Sequence, residues 1–122
     1  MNRLQFYFKA QTAHGLHSPS IYALYCEVLN PYLHGNLRYQ QFIETLRKRY
    51  RDSFLIELEE QIDPAKVTEN TILLLKKPYE QAAYWQMLKT HPAVIQTVDL
   101  YDLGIVFFKP ICPKQNFYLR KM

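Results

Sequence analysis

The stretch "TILLLK", residues 71–76, constrains this chain more than any other. Ile72, Leu73, Leu74 and Leu75 form an apolar run with no polar position inside it, short for a helix and flanked by polar residues. Successive side chains of a strand point to opposite faces. The run is therefore apolar on both faces, which suits an inner parallel strand covered from above and below. It predicts an α/β domain with a small mixed sheet and this strand near its centre.

The surroundings fit that expectation. Pro78 to Thr90 predicts a helix packing through Ala83, Tyr84, Met87 and Leu88, stopped by His91-Pro92. "VIQTVDL" predicts a strand, "YDLG" a turn and "IVFFK" a strand that returns antiparallel after a reversal at Gly104. Thr71 to Leu100 then forms a right-handed βαβ crossover. Asp99 and Asp102 bracket the turn and are expected to cap it through side-chain hydrogen bonds. "NFYLR" closes the chain as a last strand.

Upstream, "RLQFYFKAQ" fits both a strand and a helix, and a short helix is expected. Ser18 caps and Pro19 opens a second helix carrying Ile21, Leu24, Tyr25, Val28 and Leu29, which Asn30-Pro31 ends. Tyr39, Phe42, Ile43, Leu46 and Tyr50 stripe a third helix whose basic end, "RKRYR", complements the helix dipole. "SFLIEL" is a strand, followed by a polar connection with a helical turn near Pro64. The chain is expected to form one domain over 1–122, helical over 1–51 and β-rich over 52–122.

Composition narrows the function classes. The three glycines, Gly15, Gly35 and Gly104, lie far apart, so no glycine-rich phosphate loop is present. A net charge of +4 is far from the basic stripe of a nucleic-acid binder. No segment has the length and apolarity to span a membrane, and the start of the chain carries no apolar leader. Cys26 and Cys112 have no CxxC spacing, and free thiols in a cytoplasmic protein are expected. Cys26 falls near the apolar face of its helix and is expected to be a buried structural thiol.

Two regions carry a resemblance. "HGLHSPSIYALYCEVL" with "FIETLR", and "TILLLKKPYEQAAYWQMLKTHPAVIQTVDLYDLGIVFFKPICPKQNFYLR", resemble the two ends of a Bacteroidetes-type bacterial family of class I S-adenosylmethionine-dependent methyltransferases. Ala83 and Trp85 stand near the family's alanine-tryptophan pair, and Leu103 to Phe108 with Lys114, Gln115 and Phe117 match its tail. The family's first strands, with their glycine loop and ribose-binding acidic residue, have no counterpart here. "SFLIELEEQIDPAKVTEN" joins the two matching ends directly. The resemblance implies a truncated relative, a remnant of the C-terminal half of a Rossmann-like methyltransferase fold, that has lost S-adenosylmethionine binding. At the end of the "TILLL" strand the family tends to carry two Asp; this chain has Lys76 and Lys77.

The candidate ligand or phosphate contacts are His14, His17, Ser18, Lys76 and Lys77; no catalytic, cofactor-binding or metal-ligating residue is assigned. His14 and His17 are too few for a zinc site. For Lys76 and Lys77 the simpler role is solvation of a strand end. Three functions compete. One is a non-catalytic interaction or structural module, expected to be a homodimer over the "SFLIEL" edge or the N-terminal helices, with a full-length methyltransferase as its other candidate partner. The second is a ligand site completed across a subunit interface. The third is a small RNA-binding accessory protein, which a continuous positive face of Arg47, Arg49, Arg51, Lys76 and Lys77 would favour.

Overall fold

The computed structural model describes residues 1–12, 16 and 18–122. Among them, five α-helices and five strands follow in the order α1 (Arg3–Lys9), α2 (Pro19–Leu24), α3 (Asn30–Leu33), α4 (Tyr39–Arg49), β1 (Phe54–Glu57), β2 (Thr71–Lys76), α5 (Ala82–Thr90), β3 (Gln96–Asp99), β4 (Leu103–Phe107) and β5 (Gln115–Tyr118), with short 3-10 turns at Pro64–Lys66 and Pro78–Gln81. The strands form one mixed sheet in the order β1-β2-β4-β3-β5. β1 runs parallel to β2, β3 runs parallel to β5, and β4 lies antiparallel between β2 and β3. The protein is thus an α/β domain: N-terminal helices, then a five-stranded mixed sheet with one helix interleaved.

β2 explains the layering. Ile72 and Leu74 join one core cluster, with Leu24, Tyr25, Phe42 and Leu46 from the N-terminal helices. Leu73 and Leu75 join a second cluster, with Tyr84, Trp85 and Leu88 of α5. The continuous apolar run is therefore consumed by two separate layers, one on each face. β2 is the second strand of the five, and the central position belongs to β4. The crossover from β2 through α5 reaches β3, but β4 occupies the gap between those two strands.

Several local expectations are corrected. Asn30-Pro31 does not end the second helix. Tyr25–Leu29 adopts a π-helical turn, with the Asn30 N–H bonding back to Tyr25 O, and α3 follows with Pro31 in its first turn. The wider turn accommodates a residue without an N–H, so the helix continues past the proline. Ser18 is the N-cap residue of α2, but its side chain makes no capping bond; its Oγ lies 3.4 Å from Ser20 Oγ. Ala83 and Met87 are exposed, and α5 packs instead through Tyr84, Trp85 and Leu88. Cys26 is half-buried at the margin of the first cluster.

Gly104 lies inside β4 and not in the turn; Tyr101 takes the left-handed conformation, φ 73°, that reverses the chain. A Cβ on Gly104 would meet the Trp85 ring at 2.7 Å. The glycine is required by close packing rather than by backbone freedom. Trp85 Nε1–H donates to Asp99 Oδ2 at 3.1 Å, and the Tyr101 N–H donates to Asp99 Oδ1 at 2.8 Å. Asp99 therefore caps the turn as expected. Asp102 does not: its carboxylate pairs with Arg3 and accepts from Tyr79 Oη.

α1 is a helix because it is closed at its start by a reciprocal pair. The Gln5 N–H donates to Asn2 Oδ1 and the Asn2 N–H to Gln5 Oε1. Phe6 is its buried residue, while Leu4, Tyr7 and Phe8 are exposed. The chain leaving α1 meets the far edge of the sheet. There the Gln11 N–H donates to Tyr118 O at 2.6 Å and the Arg120 N–H to Gln11 O at 3.0 Å.

Candidate functional site

Parallel strands present their carboxyl ends on one side of a sheet, and ligands of open α/β sheets gather there. A cavity of about 450 Å³ opens beyond the carboxyl ends of β3 and β5. Its apolar wall comes from Phe6 and Tyr7 of α1, Tyr32 and Leu33 of α3, and Leu100 and Leu103 around the β3–β4 turn. Arg3, Tyr101, Asp102, Arg120 and Lys121 supply its polar wall.

Local folding fixes each polar group. Tyr101 is held by its N–H bond to Asp99 and by rings on two sides, Tyr79 stacked at 4.5 Å and Phe6 at 5.4 Å. The Arg3 guanidinium lies 4.4 Å from the centre of the Tyr101 ring and 3.0 Å from Asp102 Oδ2. Both partners of that ion pair are exposed, so it contributes about 0–1 kcal/mol. It nevertheless neutralises the one carboxylate in the cavity wall.

Arg120 differs from Arg3. Its backbone is pinned, with N–H to Gln11 O and O accepting from Tyr25 Oη at 2.6 Å. Its guanidinium stacks 4.4 Å from the centre of the Tyr7 ring. Its Nε is shut from solvent and has no hydrogen-bond partner among the described residues. Leaving a buried donor unmatched costs about 1–3 kcal/mol. The cavity wall thus combines a committed cation, Arg3, with an uncommitted one, Arg120.

Behind this site sits the buried Asp99 carboxylate. Burial pushes its pKa above the ordinary aspartate value, opposed by the Tyr101 N–H, Trp85, Lys89 and Lys9. Both of its oxygens already accept hydrogen bonds. Its position is that of an anchor for the turn, not of a group open to a reacting molecule. Among the described residues no cluster of His, Cys, Asp or Glu could hold a metal ion.

Of the residues expected from sequence, Ser18, Lys76 and Lys77 are described and do not line this cavity, although the Lys77 N–H donates to Asp102 O at 2.9 Å. His14 and His17 fall outside the described residues. Lys76 ends β2, and its Nζ sits 4.4 Å from the centre of the Tyr39 ring. Tyr39 Oη in turn donates to Glu57 at 2.8 Å, and burial, then that bond, raises the tyrosine pKa. Lys77, in the left-handed conformation at φ 49°, lies 4.0 Å from Glu80. Ser18 is two residues from Ser20, which lines a different cavity with Thr71 and Gln96 at the amino ends of β2 and β3. Thr71 and Lys76 are the two ends of one strand, about 16 Å apart. Ser18 and the lysine pair are therefore at opposite ends of the sheet and do not form one site.

Of the five basic residues named for a positive face, three have neighbours within the chain. Arg49 is bonded to Glu27, Lys77 lies beside Glu80, and Lys76 rests on Tyr39. Among the described residues no helix is long and apolar enough to cross a membrane. Sequence reasoning missed Arg3, Tyr101, Asp102 as a pairing group, Arg120 and Lys121. These residues come from opposite ends and the middle of the chain, and no spacing signals their convergence. No family model matches the chain, and neither a curated protein nor a solved structure matches it.

Proposed function

We propose that this protein is a non-catalytic interaction module, a methyltransferase-like remnant that self-associates through the open edge of β1. The observation that carries the proposal is that edge. Phe54 is 68% exposed and Ile56 41% exposed on a sheet strand, and among the described residues nothing pairs with the strand's outer side. The Phe54 and Leu58 N–H groups bond toward β2, to Asn70 O and Leu74 O. Alternation along a parallel ladder then turns the N–H and C=O groups of Leu55 and Glu57 outward. An edge with free donors, free acceptors and apolar side chains is a template for another strand.

The charge pattern selects a second copy of the chain as that strand. Arg47 and Arg51 flank the amino end of β1, and Glu59 and Glu60 follow its carboxyl end. In an antiparallel twofold pair centred on Leu55, Phe54 faces Ile56 of the other copy and Arg51 approaches Glu59. The hydrogen-bonding residues of the two edges also fall opposite one another in this register. Twofold dimers are the commonest assemblies, and a small domain gains stability by burying such a surface.

The loss of the cofactor half is supported by the resemblance and by the placement of the glycines. Gly104 lies under the Trp85 ring and is not free to approach a ligand, and Gly35 sits alone in a turn after α3 with no second glycine near it in sequence. The element order after Thr71 is strand, helix, strand, strand, strand, the order that the resemblance implies. The contact between Trp85 and Gly104 lies within the second of the two stretches that carry the resemblance.

Light scattering coupled to gel filtration tests the assembly. A mass of twice 14.6 kDa is expected, with dissociation promoted by Arg51→Glu and dimer formation restored by Arg51→Glu combined with Glu59→Arg. A monomer at about 100 µM, well above ordinary dimer dissociation constants, overturns it. Calorimetric titration with S-adenosylmethionine is expected to show no binding, and a dissociation constant in the low micromolar range refutes that part.

A further inference from the structure

We infer that the cavity at the carboxyl ends of β3 and β5 is a binding site for a small ligand that carries a carboxylate or phosphate on a flat apolar body. The site lies on the side of the sheet remote from β1 and does not depend on the dimer. Its volume of about 450 Å³ is within the range of small-molecule sites.

Head-group chemistry follows from the charges. Arg3 and Asp102 cancel one another, which leaves Arg120 and Lys121 as the uncompensated charges of the wall. The Arg120 Nε lacks an acceptor among the described residues, and the guanidinium is stacked on the Tyr7 ring. With Nε shut behind them, the Nη groups of the guanidinium are the donors left for an anionic oxygen pair, which they bind as a fork. The Tyr7 ring under Arg120 and the Gln11 and Tyr25 bonds to its backbone fix where the fork stands.

The body of the ligand follows from the rest of the wall. Phe6, Tyr7, Tyr32, Leu100 and Leu103 give a largely apolar, aromatic surface that suits a flat ring. A hydrophilic anion without a ring would leave that surface wet, and a neutral ring would leave Arg120 unmatched. The left-handed turn at Tyr101 shapes the wall, and non-glycine residues held in this conformation cluster at ligand clamps.

The test is a titration of the full chain with phenylacetate, adenosine monophosphate and phenylethanol, followed by amide chemical shifts. Saturable binding of at least one anion is expected, with shifts centred on Tyr101, Leu103 and Arg120. Which anion binds tells a carboxylate head from a phosphate one. Phenylethanol, with the ring but no charge, is expected to bind at least about tenfold more weakly. Arg120→Gln is expected to lower anion affinity about tenfold, and Arg120→Lys to recover part of it. Lys121→Gln, at an exposed position, is expected to lower it about threefold and keeps the test open if Arg120 variants fail to fold. No saturable binding of either anion, equal affinity for phenylethanol, or affinity unchanged in the folded variants overturns the site.

Discussion

The two edges of the sheet have been finished differently. At the β5 edge the chain after α1 docks onto the strand end: Gln11 bridges Leu119, bonding to Tyr118 O and receiving the Arg120 N–H. Lys9 and Lys89 both sit over the Tyr118 ring. At the β1 edge no such strap is present among the described residues, and Phe54 and Ile56 stand exposed. The N-terminal helices cover a face of the sheet rather than this edge. A covered edge protects its backbone groups within one chain, whereas an open one needs a second chain or water. The difference teaches that one end of the sheet is finished within the chain, beside the cavity, while the other is left open and carries the proposed pairing.

Placing lysines on the open edge should break that contrast most strongly. Phe54→Lys combined with Ile56→Lys is expected to raise the dimer dissociation constant at least about 100-fold, or ~2.7 kcal/mol, by light scattering across a dilution series. An unchanged dissociation constant moves the interface away from β1.

Between the edges Trp85 leaves no room above Gly104. Gly104→Ala is expected to destabilise the fold by about 1–3 kcal/mol in urea denaturation. Trp85→Phe should suppress part of that loss, because the smaller ring vacates the site of the new methyl. Purely additive losses would show that the clash is relieved elsewhere.

The strap itself is the next target. Gln11→Pro removes the N–H that donates to Tyr118 O and should cost about 1 kcal/mol. Hydrogen exchange should quicken at the Arg120 amide, which donates to Gln11 O. Exchange as slow as in the parent protein would mean that β5 needs no strap.

The smallest effect concerns Asp99, the anchor of the turn beside the strapped edge. Burial raises its folded-state pKa above the unfolded value near 3.8. The folded chain therefore holds this proton more tightly than the unfolded chain. The contribution is most favourable below the unfolded pKa and is lost as pH rises through the raised folded pKa. Relative to Asp99→Asn, which does not titrate, the parent protein should gain on the order of 1 kcal/mol or less as pH falls from neutral toward that value. Denaturation of both proteins at several pH values reads the difference, and a gap that widens in the opposite direction refutes the sign.

The sequence by itself determined the layers and the order of the elements. "TILLLK" demanded cover on both faces, and received α5 on one and the N-terminal helices on the other. The stripe Phe42, Ile43 and Leu46 is buried as its spacing required. These signals are local: a period of two or of about four is written in neighbouring residues. Only the tertiary structure decided that β4 slips between β2 and β3, because pairing partners are chosen by packing and not by adjacency in the chain. It likewise decided that Gly104 answers to Trp85, nineteen positions earlier, rather than to a turn. The cavity was the least legible feature. Arg3, Tyr101 and Arg120 converge because Gln11 ties the end of α1 to β5 and Asp99 reverses the chain beside it. Each residue, met alone in the sequence, is an ordinary surface side chain, and what sets Arg120 apart is a buried Nε without a partner, which three-dimensional packing alone can create.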